Sequence, residues 1–202
     1  VKTSAAQRRS DAGFREARRA VNHFFTRVSE DVLLDEPGMQ LLRKDLLEEA
    51  LTFYQAFLIR EQSDPALQDE IATTYYRIGR ITEVTEDAEA AIPWYQRASE
   101  AQRSLHNRTP DNAQYLLDLG DTLNALGAAF AKNEKFDEAS KTLEESIRLR
   151  ETACQINSEQ IEPRRKLANS FMNLGLVKRR QGDSENAMNQ MQRAQTIRRE
   201  LL

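Results

Sequence analysis

The side chains able to do chemistry in this 202-residue chain are few and scattered. His23 and His106 fall in separate helical stretches with no ligand pattern around either, and read as helix-surface or helix-end residues. The single cysteine, Cys154, excludes an internal disulfide framework and a cysteine-based metal site. It reads as a small, half-buried apolar residue near the end of a long helix. The carboxylate pairs Glu48-Glu49 and Glu144-Glu145 sit among opposite charges at helical spacing, the pattern of a solvated face rather than of an acid–base pair. The chain contains no G-x-G-x-x-G, no G-x-x-x-x-G-K-[ST], no H-R-D or D-F-G and no G-x-S-x-G. The expectation is therefore of no catalytic residue, no metal and no cofactor: this chain is not itself an enzyme.

One basic cluster, Arg8, Arg9, Arg15, Arg18 and Arg19, has two readings. It is either a juxtamembrane face near lipid headgroups or the polar side of an amphipathic helix balanced by Asp11 and Glu16. It has no aromatic platform on its exposed side, and the net charge of −3 gives no global reason to bind nucleic acid. No apolar run approaches the roughly 18 residues that span a bilayer. The chain opens at Val1 rather than Met and runs directly into a helical pattern, so it reads as a piece of a longer protein.

The elements that position any functional side chain are set by a repeat. Tyr75-Tyr76-Arg77-Ile78-Gly79, Leu123-Asn124-Ala125-Leu126-Gly127 and Phe171-Met172-Asn173-Leu174-Gly175 share one pattern, and their glycines lie 48 residues apart (79, 127, 175). Twelve residues after each glycine comes Ala91, Ala139 or Ala187, then Tyr95, Leu143 or Met191, then Ala98, Ser146 or Ala194. Helix-on-helix packing explains this: glycine and alanine let two antiparallel backbones approach, and the large residues fill the space between neighbouring hairpins. Asp64-Pro65, Thr109-Pro110-Asp111 and Asp183 mark helix starts, and Lys132–Lys135 and Arg180–Asp183 are polar turns. Upstream, Phe14, Ala17, Val21, Phe24 and Val28 form one apolar helical stripe, with a loop over Asp31–Gly38 and a second helix carrying Ala50 and Tyr54. The fold class is all-α: eight unusually long helices in a right-handed solenoid. An opening pair occupies residues 1–63, and three hairpins occupy 64–109, 110–157 and 158–202.

These Leu-Gly and Ala positions resemble the tetratricopeptide repeat (TPR) family over roughly residues 72–202. The family period is about 34 residues, so a 48-residue period implies helices about two turns longer. Thr82 and Lys178 stand where the family's first helix carries Tyr, and the closing proline is missing from all three units. The family lines its concave surface with first helices and binds proteins or peptides there. That implies a groove over Tyr76, Arg77, Arg80, Asn124, Lys132, Asn169, Met172, Asn173, Leu176, Arg179 and Arg180. Within it, Asn124, Asn169 and Asn173 would pair with a peptide backbone, while the arginines and Lys132 would take acidic groups. The same stripe also reads as a water-facing surface, and Met172 and Leu176 as residues covered by a further helix or a second copy in a homodimer. The chaperone-binding carboxylate clamp is not reproduced.

Residues Phe24–Leu34 and Met39–Leu46, with Val28-Ser29-Glu30 and Leu33-Leu34 at their centre, are similar to the region after the kinase domain and membrane helix of planctomycete-type serine/threonine protein kinases. The resemblance is distinctive over residues 5–62. It implies a bacterial, membrane-anchored signalling parent with this segment outside the cytoplasmic membrane, although no kinase residue is present here.

Overall fold

The computed structural model describes residues 13–14, 16–34, 36–60, 64–156 and 160–201. Arg8, Arg9, Asp11 and Arg15 of the basic cluster lie outside them. An opening helix runs through residues 16–21 and widens into π-helical turns over Asn22–Val32. Seven α-helices follow: α1 (Gln40–Arg60), α2 (Pro65–Thr85), α3 (Ala88–Arg108), α4 (Ala113–Lys132), α5 (Phe136–Ile156), α6 (Ile161–Arg180) and α7 (Ser184–Glu200). Each packs on its neighbours in sequence, and α4 also touches α6. Helices α2 to α6 are 20 or 21 residues long, about 30 Å each, as a 48-residue period requires.

Local sequence sets the helix ends. Asp64 caps α2 by accepting from the Ala66 amide (2.9 Å), with Pro65 at the first helical position. Asp87 does the same for α3 through Ala90 (2.8 Å) and Asp183 for α7 through Asn186 (3.2 Å). Helix α4 begins later than Thr109-Pro110-Asp111 suggests, at Ala113, because Asn112 is the residue whose side chain accepts from Gln114 and Tyr115.

Within each hairpin the glycine meets the partners its register assigns. A Cβ on Gly79 would lie 2.8 Å from the Tyr95 ring, and one on Gly175 would lie 2.9 Å from Met191 Cγ. On Gly127 it would lie 2.6 Å from Leu143 Cγ and 3.3 Å from the Ala139 carbonyl. Ala91, Ala98, Ala139, Ser146 and Ala194 are fully buried at this seam. Between hairpins, Ile92 and Tyr95 of α3 join Leu119, Leu123 and Leu126 of α4 in one core. Leu143 and Ile147 of α5 join Leu167, Phe171 and Leu174 of α6 in the next.

The turns inside the second and third hairpins are copies of one motif. Glu134 and Gly182, 48 residues apart, both have positive φ (59° and 83°). In the second hairpin Lys135 N–H donates to Phe130 C=O (2.9 Å) and Glu134 N–H to Ala131 C=O (3.2 Å). In the third, Asp183 N–H donates to Lys178 C=O (2.9 Å) and Gly182 N–H to Arg179 C=O (3.1 Å). This is the Schellman arrangement, which favours glycine at the left-handed position.

The opening stripe departs from its expected phase. Phe14 and Val21 are buried, but Phe24 is 64% exposed, while Phe25 packs on the core of α1 and α2. A π-helical turn takes more residues than an α-turn, so the buried face slips past Phe24 to Phe25 and Ser29.

Two substitutions separate these constraints. Gly127→Ala should lower stability by about 1–3 kcal/mol, since Leu143 and a backbone carbonyl must move. Glu134→Gly should raise it by about 0.5–1 kcal/mol, by relieving the left-handed residue. Urea denaturation of the two variants checks both signs.

Candidate partner-binding surface

Helices α2, α4 and α6 share one face, and three clefts lie along it. The central cleft, about 660 Å³, is bounded by Tyr76, Arg80 and Glu83 of α2, Asn124 and Lys132 of α4, and Lys166 and Asn169 of α6. A second, about 520 Å³, opens toward α1 past Thr73, Tyr76, Arg77, Arg80, Gln102 and Asp118. A third, about 360 Å³, has Ala131, Phe136, Leu143 and Val177 beneath Asn173, Leu176, Arg179 and Arg180.

Ten of the eleven sequence-assigned residues line these clefts, but most are already engaged. Arg80 donates to the Tyr76 hydroxyl (3.3 Å), and Lys132 reaches Glu83 Oε1 (2.5 Å) across the first two hairpins. Burial pushes the Glu83 carboxyl up, but hydrogen bonds from Lys132 and the Tyr95 hydroxyl outweigh it and hold the group below its ordinary range. Asn169 Oδ1 accepts from Arg198 (3.1 Å). Asn124 Oδ1 accepts from both Ser170 (3.0 Å) and Asn173 (3.1 Å), so its acceptor is committed within the fold and the donor–acceptor pairing expected toward a peptide is not on offer there. Met172 is half-buried against the α5–α6 core and lines none of the three clefts. Leu176 stays 40% exposed, and Arg179 and Arg180 are exposed beside it. The carboxylates Glu144 and Glu145 pair with Lys178 and Arg103, which supports the solvated-face reading.

Sequence reading missed the residue at the centre of the face. Arg150 of α5 is only 3% exposed. Its guanidinium donates to Asp121 Oδ1 (2.5 Å), the Lys166 carbonyl (2.5 Å) and Ser170 Oγ (2.6 Å), and Lys166 closes the group on Asp121 Oδ2 (2.5 Å). A Cβ on Gly120 would lie 3.0 Å from the Arg150 stem, so glycine there admits it. Ser146 Oγ lies 2.7 Å from the Gly120 carbonyl and 3.1 Å from Ser170 Oγ. Ser146 gives its proton to Gly120 and Ser170 gives its own to Asn124, so both hydroxyl protons are used. One signal was available: Gln102, Arg150 and Arg198 follow the 48-residue register on the second helices, and Arg198 repeats toward Asn169 what Arg150 does toward Asp121.

Asp118 lies beside this seam and has Gln114 Nε2 at 2.8 Å, with no cation at ion-pair distance among the described residues. Burial, reinforced by Asp69 and Asp121, raises its carboxyl from 3.8 to about 6. The folded chain therefore holds a proton that the unfolded chain releases, and stability is lost as pH rises from about 4 through 6. Asp118→Asn should remain melting-neutral near pH 4 and gain about 1–3 kcal/mol at pH 7, read from thermal unfolding at the two pH values.

Tetratricopeptide repeat family models match residues 70–152 and 167–202, together more than half of the chain. No curated protein matches. Among solved structures, BtubC (BKLC) from P. vanneervenii is similar at 19% identity and a TM-score of 0.55, over 98% of this chain and 78% of that one. A chain of the DHF58 filament is similar at 12% identity and a TM-score of 0.50, over 94% of each. At such identities the likeness speaks for the fold alone. With the glycine-seamed hairpins and these matches together, the chain belongs to the tetratricopeptide repeat family.

Proposed function

We propose that this chain is a protein-interaction scaffold that holds a polypeptide segment along the face of α2, α4 and α6. The observation that carries the reading is the run of three clefts on that face, the third pairing exposed cations with an apolar floor. In this reading Arg179 and Arg180 meet acidic groups of the ligand and Leu176 meets an apolar side chain, supported by their exposure along the third cleft. The chain carries no catalytic motif, so its contribution is recognition. The resemblance of residues 5–62 supports a finer reading: the regulatory or sensor segment of a larger, membrane-anchored serine/threonine protein kinase, outside the cytoplasmic membrane. No helix among the described residues is long and apolar enough to cross a membrane. A parent reading frame lacking both H-R-D and D-F-G upstream would remove that finer part.

A second reading is self-association. It is favoured by the outer face of α7, where Met188 is 63% exposed. In that case the scaffold brings its parents together with no ligand in the clefts.

Selection from a random-peptide display library tests the first reading. Wild-type chain should enrich a peptide class above blank resin, and Arg179→Glu with Arg180→Glu should weaken the best binder about tenfold or more. Both residues are exposed, so the pair is not expected to disturb folding. No enrichment above blank would sink the scaffold reading, and undiminished binding would remove the third cleft from it.

A further inference from the structure

The two junctions between hairpins are register copies of each other, and one lacks a group that the other has. At the second junction Arg150 donates to Asp121, to the Lys166 carbonyl and to Ser170. Moving each residue back by the 48-residue period gives Gln102, Thr73, Asp118 and Thr122. Gln102 is only 5% exposed and its Oε1 has no hydrogen-bond partner. Thr122 is fully buried, and its Oγ1 has none either. These are the two positions that at the next junction hold the guanidinium and one of its acceptors.

Beside Gln102 lies the cleft of about 520 Å³, with Thr73, Asp118 and Asp121 also in its lining. Every polar side-chain group of these four residues other than the Gln102 amide nitrogen and the Thr73 hydroxyl proton is an acceptor. Asp118 is a half-buried carboxylate without a cation, and Asp121 already serves Arg150 and Lys166. The arginines Arg77 and Arg80 stand one and two turns further along α2 from Thr73, and Arg43 of α1, which donates to the Ser29 carbonyl and Gln40, also lines the cleft. Buried acceptors beside an unpaired carboxylate call for a charged donor, since each costs free energy while it stays unpaired.

We infer that this cleft takes an arginine side chain from the bound polypeptide, seated over Gln102 and Asp118 where Arg150 sits one hairpin later. The inference rests on the reading of the α2, α4 and α6 face as a polypeptide-binding surface, and adds the residue type that one subsite selects. The guanidinium supplies the donor that Gln102 Oε1 lacks and the positive partner that Asp118 lacks. Arg77 and Arg80 in the same lining favour a neutral or acidic neighbour in the same segment.

The test titrates the whole chain with N-acetyl-arginine amide, using N-acetyl-glutamine amide as the uncharged control, and follows the backbone amides of Thr73 and Thr122, present in every variant, by NMR. A saturable shift with the arginine probe alone is expected. Gln102→Arg, which supplies the guanidinium in cis, should abolish it. Asp118→Asn should weaken it about tenfold, and this variant keeps the fold testable should Gln102→Arg misfold. No saturable shift in the wild-type chain, or equal binding by all three proteins, would overturn the inference. Peptides captured by the library but indifferent to Gln102→Arg would overturn it and leave the scaffold reading standing. Probe binding at Gln102 with no peptide ever captured would support the cation subsite and count against the scaffold reading.

Discussion

The structure depends on the close approach of two helix backbones inside each hairpin. Gly79, Gly127 and Gly175 sit where any Cβ would enter Tyr95, Leu143 or Met191. Once that contact is made, the rest of the packing follows. The second helix is held against the first by a buried alanine or serine, and Ile78, Leu126 and Leu174 beside the glycines join the core shared with the preceding helix pair. Repetition at 48 residues then places α2, α4 and α6 side by side, so that residues far apart in sequence form one continuous face. The long helices widen this face without changing the contact that organises it.

Charge burial distinguishes the two junctions along the face. At the second, a buried arginine ties the hairpins together through Asp121 and Ser170, and Lys166 pairs with the same Asp121. Burying a guanidinium carries a large desolvation cost, offset only when its donors and the opposing carboxylate are satisfied together. Burial lowers the Arg150 pKa from its ordinary value, and Asp121 pulls it back. The cost is reduced because Gly120 gives the stem room and Ser170 and a main-chain carbonyl take donors that Asp121 cannot, while Arg150 Nε is left without a partner. At the first junction Gln102 avoids the buried charge, and its Oε1 is left without a hydrogen-bond partner.

The hairpin stack was legible because it rests on residue types with few alternatives. Glycine where backbones touch, alanine twelve residues later, and Asp64 and Asp183 at helix starts each answer a steric or hydrogen-bonding demand. The face was less legible. Arg150 in a charge-rich helix looks like any solvated cation, and only its place in the register separates it from Arg148. The role expected for Asn124 depended on a free acceptor, which Ser170 and Asn173 occupy from a helix more than 40 residues away in sequence. Phe24 misled for a local reason, since a 3.6-residue period does not hold through a π-helical stretch.

The central claim is that the face of α2, α4 and α6 is free to receive another polypeptide. Light-scattering mass of the chain across a wide concentration range tests it most directly. The account predicts a constant monomer mass, close to 23.2 kDa. A tight dimer that dissociates when Leu176 is replaced by glutamate would contradict it, because the exposed apolar residue assigned to a ligand would then be meeting its own copy.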